Sequence, residues 1–446
     1  MSRLTESIRN SWKIEELRER ITFTALMLLI VRLGSYISVP GIDLSLRGSS
    51  ADSNTLFGMF DTFVGGAYSN AAIFALGIMP YISASIIIQL FTAVVPFFQK
   101  MQQEGEEGRK QINTYTRYLT VALAFAQGIA IAISLQSTDV GGGQSMVPAH
   151  LHGMPFALTA AAIFTAGTVF LMWLGEQITE KGIGNGVSLI IFIGIMARLP
   201  QAIVQEGALV SDGGRNIVLE LIIVAVFVAI IAAVVMFTQA VRKIPVQYAK
   251  RRMGSKTYGG STQHVPIALT TANVMPIIFA QSIMFVPNFL ANTFKDSSMA
   301  LFINQNFQHG SVLYTVILAL MIIFFTFFYT AIVFDPRQVA ENMRKNGGFV
   351  PGIRPGKPTE EYIDGILTRV TVPGALFLAL IAILPAFVSN LGVSQGFASF
   401  FGGTSVLIMV GVALDTLKQV ESYLLMRHYD GFMKSGKLRG KQVTVS

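Results

Sequence analysis

Long apolar runs, separated by polar segments, set the rhythm of this chain. They fall at about Ile21–Val39, Ala71–Val95, Tyr118–Leu135, Pro155–Leu174, Val187–Val204, Ile217–Phe237, Ala272–Leu290, Val312–Phe334, Val370–Val388 and Phe401–Leu417. A helix needs about 20 apolar residues to cross a bilayer, so the pattern predicts ten transmembrane helices. Arg198 interrupts the fifth run and Asp415 lies near the end of the tenth. The stretch Phe57–Ala67, FGMFDTFVGGA, is apolar but Gly-rich, carries Asp61 and is too short to span. Feeding directly into a run that does reach spanning length, it predicts a re-entrant piece, since such backbone survives at membrane depth only inside protein or beside a watery cavity. Ile78 and Ile82 lie four apart and share one helical face, with Pro80 between them. That face either packs against lipid and neighbouring helices, the commoner use of isoleucine, or lines a pore.

Composition supports the membrane reading and removes alternatives. Hydrophobic residues make up 52% of the 446, charged residues only 13%, and mean hydropathy is +0.57, the profile of a polytopic membrane protein. The chain has no cysteine, which excludes disulfides and thiol chemistry. Residues 1–20 are polar and no A-x-A-like site follows the first run, which is therefore read as a helix rather than a signal peptide.

The net charge of +8 is mostly topology. Of 33 Lys and Arg, 28 fall in residues 1–20, 96–117, 175–186, 240–271, 335–369 and 415–446; Arg47, Arg198, Arg215 and Lys295 lie in the alternate segments and Arg32 inside the first run. By the positive-inside rule both termini and the long basic loops face the cytoplasm. Ten runs divide into two sets of five, and an odd number per half gives the two halves opposite orientation. The expected division is 1–20, a cytoplasmic N-terminal segment; 21–204, the first half; 205–424, the second half with loops 240–271 and 335–369; and 425–446, a basic tail.

Loop 240–271 holds six Lys and Arg and no acid, with Tyr248 and Tyr258; loop 335–369 holds the run NGGFVPGIRPGKP around Arg354. Prolines favour a shaped protrusion, and such a surface attracts either anionic lipid or an acidic or phosphate-rich partner. No phosphate-binding Gly-Lys motif, H-E-x-x-H or Cys/His cluster occurs, so no cofactor and no enzyme is expected. Coupled transporters carry ionisable groups at the midplane. Here Arg32 alone lies well inside a run, while Glu176, Glu220 and Asp415 fall near predicted helix ends, which favours a conduit driven from elsewhere over a secondary transporter of a small solute or a passive scaffold.

The blocks ALGIMPYISASIIIQL (75–90), FLMWLGEQITEKGIGNGVSLIIF (170–192), FFYTAIVFDPR (327–337), GGFVPGIRPGKPT (347–359) and FGGTSVLIMV (401–410) resemble SecY, the central subunit of the bacterial Sec protein-conducting channel. The resemblance covers all ten runs. It implies an all-α polytopic membrane protein, ten transmembrane helices in two inverted five-helix halves around an hourglass pore. Its function would be to pass unfolded polypeptides across the cytoplasmic membrane and release hydrophobic segments sideways into lipid.

By motif, the family's pore ring falls on Ile78, Ile82, Val187, Ile191, Ile278 and Ile408, with valine at 187 where isoleucine is common. The plug matches about 56–70, including Phe57, Phe60, Asp61, Phe63, Gly65 and Gly66. The lateral gate lies between the second and third spans and the seventh and eighth, with Ser83, Gln127, Gln281 and Ser282 as polar candidates along it. Arg251, Arg252 and Arg354 are the docking candidates, and the implied partners are the motor ATPase SecA, the ribosome, the membrane subunits SecE and SecG, unfolded preproteins and nascent membrane proteins.

Overall fold

The computed structural model describes residues 14–43, 61–137, 146–211, 217–248, 251–253, 256–258, 262–270, 274–293, 303, 306–307, 311–389, 393, 397–398, 400 and 403–434. Its helices are α1 (Glu15–Gly34), α2 (Met79–Val94), α3 (Pro96–Gln103), α4 (Glu106–Ser137), α5 (Met154–Lys181), α6 (Gly186–Ser211), α7 (Ile217–Gln239), α8 (Met275–Thr293), α9 (Val312–Val333), α10 (Pro336–Lys345), α11 (Lys357–Ser389) and α12 (Gly403–Lys434). Seven of these are long and apolar enough to cross a membrane: α4, α5, α6, α7, α9, α11 and α12. An eighth follows if α2 and α3, which meet at 93°, form one bent span. α1 falls short of that measure because Glu15, Glu16, Arg18, Glu19 and Arg20 occupy its start, and α8 carries a shorter apolar stretch at Met275–Met284. On α7, Ile217, Leu221, Val228 and Met236 are all more than half exposed. Apolar surface on that scale belongs against lipid.

The second apolar run departs most from expectation. Helix does not begin at Ala71 but at Met79; residues 65–78 run as successive turns with positive φ at Ala71 and Gly77. Their backbone groups are met by the chain after α1: Val39 N–H donates to the Ala71 carbonyl (3.0 Å) and Ile73 N–H to the Ile37 carbonyl (2.8 Å). An uncharged run looks the same to a hydropathy pattern whether it is helical or a buried loop with satisfied backbone. Sixteen helical residues rise about 24 Å, less than the ~30 Å of a hydrocarbon core. Pro96 then starts α3 after the extended residue Val95.

Packing sorts the helices into two groups. In the first, α1 packs on α5 and α6, α2 on α4, α4 on α5 and α5 on α6; in the second, α8 packs on α9, α9 on α11, α11 on α12 and α7 on α12. The groups meet along two seams, α8 against α2 and α4, and α12 against α6. At the second seam Gly184 N–H donates to Gln419 Oε1 at 2.8 Å.

The two long loops form one small β-containing unit on an otherwise helical molecule. β1 (Val241–Tyr248) pairs antiparallel with β4 (Thr262–Ala268), and β5 (Gly348–Phe349) from the second loop pairs with Gln247 and Tyr248 of β1. Between β1 and β4, β2 (Arg251–Met253) and β3 (Lys256–Tyr258) form a hairpin. Ile244, Val246 and Ile267 bury with Met343 of α10, Val350, and Ile363 and Leu367 of α11. Pro245 occupies a stretch of β1 that β5 does not reach, where a missing N–H is tolerated.

Candidate functional site: the waist and its plug

Ile78, Ile82, Val187, Ile191, Ile278 and Ile408 belong to one continuous apolar cluster. Ile78 caps α2 and Ile82 follows one turn later, its N–H donating to the Ile78 carbonyl at 3.1 Å. Val187 and Ile191 stand on the first turns of α6, Ile278 on the first turn of α8 and Ile408 near the start of α12. All are buried except half-buried Val187, and Ile408 is 1% exposed. Four helices from both groups therefore contribute aliphatic side chains to this cluster, with Pro80 at the start of α2 rather than mid-helix.

A cavity of about 30 Å³ adjoins the waist, lined by Ile78 and Ile191 together with Phe63, Val64, Arg32 and Gly194. One water needs ~10–15 Å³ of such space, so this cavity has room for at most a few waters. A larger cavity of about 250 Å³ lies between Asn185, Ser188, Tyr329, Asp415 and Thr416. An ion driven through an apolar constriction loses its hydration, at a cost of up to tens of kcal/mol by an idealised Born argument.

Of the plug candidates, Phe57 and Phe60 lie outside the described residues. Asp61, Phe63, Gly65 and Gly66 sit in a helical turn and the loop that follows it. Gly65 has φ +69°, and a Cβ there would fall 2.9 Å from Gly194 Cα; a Cβ on Gly194 would lie 2.2 Å from the Phe63 carbonyl oxygen. The loop thus lies directly on the backbone of α6, an approach only glycine permits.

Charge completes the seat. The Asp61 carboxylate, its side chain 2% exposed, pairs with Arg198 of α6 and accepts hydrogen bonds from Ser69 Oγ and, at 3.0 Å, from Ser69 N–H. Arg198 also reaches Ser69 Oγ at 3.5 Å. Arg32 of α1 donates to the Gly65 carbonyl at 2.5 Å and to Tyr36 Oη at 2.9 Å. Pattern reading noted both arginines inside apolar runs without connecting them to Asp61. Two cations at membrane depth, beside a short segment with one carboxylate, were the signal that joins them.

Ser282 lies on the seam between α2 and α8, with Oγ donating to the Ile278 carbonyl at 2.9 Å and standing 3.9 Å from Met79 Sδ. Gln281, its neighbour, instead bonds to Thr404 of α12. Ser83 and Gln127 are half-buried on α2 and α4. Glu176 is no loose helix-end carboxylate: it takes a two-pronged bond from Arg117 of α4, at 3.0 and 2.7 Å. In the β-containing unit, exposed Arg354 stands between Ile353, packed on the sheet, and α11, and its carbonyl accepts from Thr359 Oγ1 at 2.8 Å. Arg251 and Arg252 lie on β2, opposite Tyr258 and Thr257.

Comparison with known proteins places this arrangement. A family model for SecY matches residues 72–417. The chain is 41% identical to the protein translocase subunit SecY of Thermotoga maritima over 98% of its own length and 100% of that protein's. It is 43% identical to that of Thermus thermophilus, over 96% and 98%. Among solved structures, a protein-conducting channel superposes with TM-score 0.65 at 18% identity, over 91% of this chain and 92% of that one. Sec61 in the canine ribosome-channel complex superposes with TM-score 0.61 at 17% identity, over the same shares. The small-solute transporter and scaffold readings give way to a multi-pass, non-enzymatic channel subunit, and the chain belongs to the SecY family of protein translocase subunits.

Proposed function

We propose that the six-residue waist is the seal of this protein-conducting channel, that the segment around Asp61–Asn70 is its stopper, and that the α2/α8 seam is its sideways exit. The observation that carries this reading is one continuous apolar cluster to which α2, α6, α8 and α12 all contribute aliphatic side chains, with the Gly65 loop lying on α6. Aliphatic side chains suit a channel with many clients: they yield around a passing chain and offer no residue type a strong partner, yet exclude ions when closed.

The β-containing unit, with Arg251, Arg252 and Arg354, is the docking surface for what drives transport, the SecA motor or the translating ribosome. Guanidinium groups bind carboxylates and phosphates in two-pronged fashion, so either partner is served. The Sec61 relative was solved in a ribosome-channel complex, which supports the ribosome as one partner. SecE and SecG are the membrane subunits expected alongside. The chain resides in the cytoplasmic membrane with both termini in the cytoplasm, consistent with 28 of its 33 basic residues falling in the terminal segments and the loops on the same side. The inverted relation of residues 21–204 to 205–424 belongs to the same reading. The test is precursor transport in proteoliposomes by the chain with its partners: the Ile82→Asn/Ile408→Asn variant should leak ions, and an unchanged resting conductance would remove these residues from the seal.

A further inference from the structure

We propose that Arg32 and Arg198 form a two-armed latch on the stopper, and that the Asp61–Arg198 ion pair sets how readily a client opens the channel. This rests on the reading of Asp61–Asn70 as a stopper.

The segment is held in two different ways along its length. Its C-terminal end is fixed by backbone: Val39 N–H to the Ala71 carbonyl and Ile73 N–H to the Ile37 carbonyl, with Asn70 Nδ2 donating to the Ser35 carbonyl at 3.2 Å. Ahead of that anchor the grips onto neighbouring helices come from side chains. Arg198 holds the Asp61 carboxylate and Arg32 the Gly65 carbonyl, from α6 and α1 respectively. Both arms belong to the same helix group, so the loop is seated on one half of the molecule, beside Ile191 and Ile78 of the waist.

The arms differ in how they respond to opening. Asp61 is buried, whereas the Arg198 side chain is 27% exposed. A charge pair in a dry site is strongly held, and water entering the site weakens it by screening. A client that parts the waist and admits water therefore loosens the latch as it enters; a solute that leaves the waist dry does not. Asp61 also organises the loop internally, through Ser69 Oγ and N–H, so release at Arg198 frees a pre-shaped unit pivoting on the anchored residues 70–73.

The experiment uses the full chain with its membrane partners in proteoliposomes. The chain has no cysteine, so Val64→Cys supplies a single reporter in the cavity between loop and waist. Its labelling by a membrane-impermeant charged maleimide reads undocking, and resting chloride and sodium flux reads the seal. Asp61→Asn and Arg198→Gln should each raise labelling and flux at least about tenfold, because either removes one charge of the ion pair that holds the loop on α6. The exchange Asp61→Arg with Arg198→Asp should bring both back toward wild type, a rescue that general destabilisation does not produce. Arg32→Gln should raise labelling less, since it removes a bond to a carbonyl. If an unfolded precursor with an apolar leader speeds labelling of the Val64→Cys chain but adding Asp61→Asn or Arg198→Gln leaves labelling unchanged, the latch is refuted while the stopper stands. If the precursor does not alter labelling of the Val64→Cys chain, the stopper reading falls, and the latch with it.

Discussion

At the scale of single residues, the proposed seal rests on side chains that lack hydrogen-bonding groups. Asparagine at Ile82 and Ile408 introduces amides that hold water in the constriction, and the expected result is a resting ion flux raised by an order of magnitude or more, measured as dye-detected ion entry into sealed vesicles. Gly194 makes a second case: a Cβ there would meet the Phe63 carbonyl oxygen at 2.2 Å. Gly194→Ala should therefore push the loop off α6 at a cost of about 1–3 kcal/mol, read as faster labelling of Val64→Cys with little change in helix content. The six aliphatic positions were chosen by motif, because periodicity does not separate them from dozens of other apolar pairs. Arg32 and Arg198 were visible in the sequence as charges out of place, but their partner was not, since Asp61 is 137 positions from Arg198 and only the folded chain brings them together.

At the scale of elements, hydropathy located immersion in the membrane and not helix ends. α4 starts at Glu106, about three turns ahead of the apolar run, and α11 starts at Lys357 ahead of Val370, because a helix continues into water once its apolar part is packed. The opposite error occurred at Ala71–Ile78, where apolar residues form buried turns. The β strands were legible in principle, from the alternation of Ile244, Val246 and Tyr248 and of Val265 and Ile267. They were obscured by basic residues between them and by Pro245 and Pro266. Val246→Asp buries an unpaired charge in this sheet and should cost on the order of 3 kcal/mol locally. The expected outcome is rapid proteolysis within 240–271 and loss of partner-driven transport, with the membrane helices still inserted. Arg354→Glu should leave the unit folded, because the side chain is exposed, and reduce partner-driven transport at least about tenfold through charge reversal at the contact; normal transport would remove Arg354 from the docking surface.

At the scale of the whole molecule, two helix groups joined along two seams can part at one seam while the other holds. The α2/α8 seam carries Ser282 against Met79; the α6/α12 seam carries the Gly184–Gln419 bond. Cysteines at Met79 and Ser282, joined by a short crosslinker, should stop the release of apolar segments into lipid, with full activity returning on cleavage of the link; sideways release through a linked seam would place the exit elsewhere. All of this depends on a waist that is dry until a client enters. The most direct measurement is single-channel conductance of the wild-type chain with its membrane partners in a planar bilayer without precursor, motor or ribosome. The account predicts no steady current above that of the protein-free bilayer, and conductance steps only after a precursor and its driving partner are added. A steady ionic current through the idle channel would contradict it.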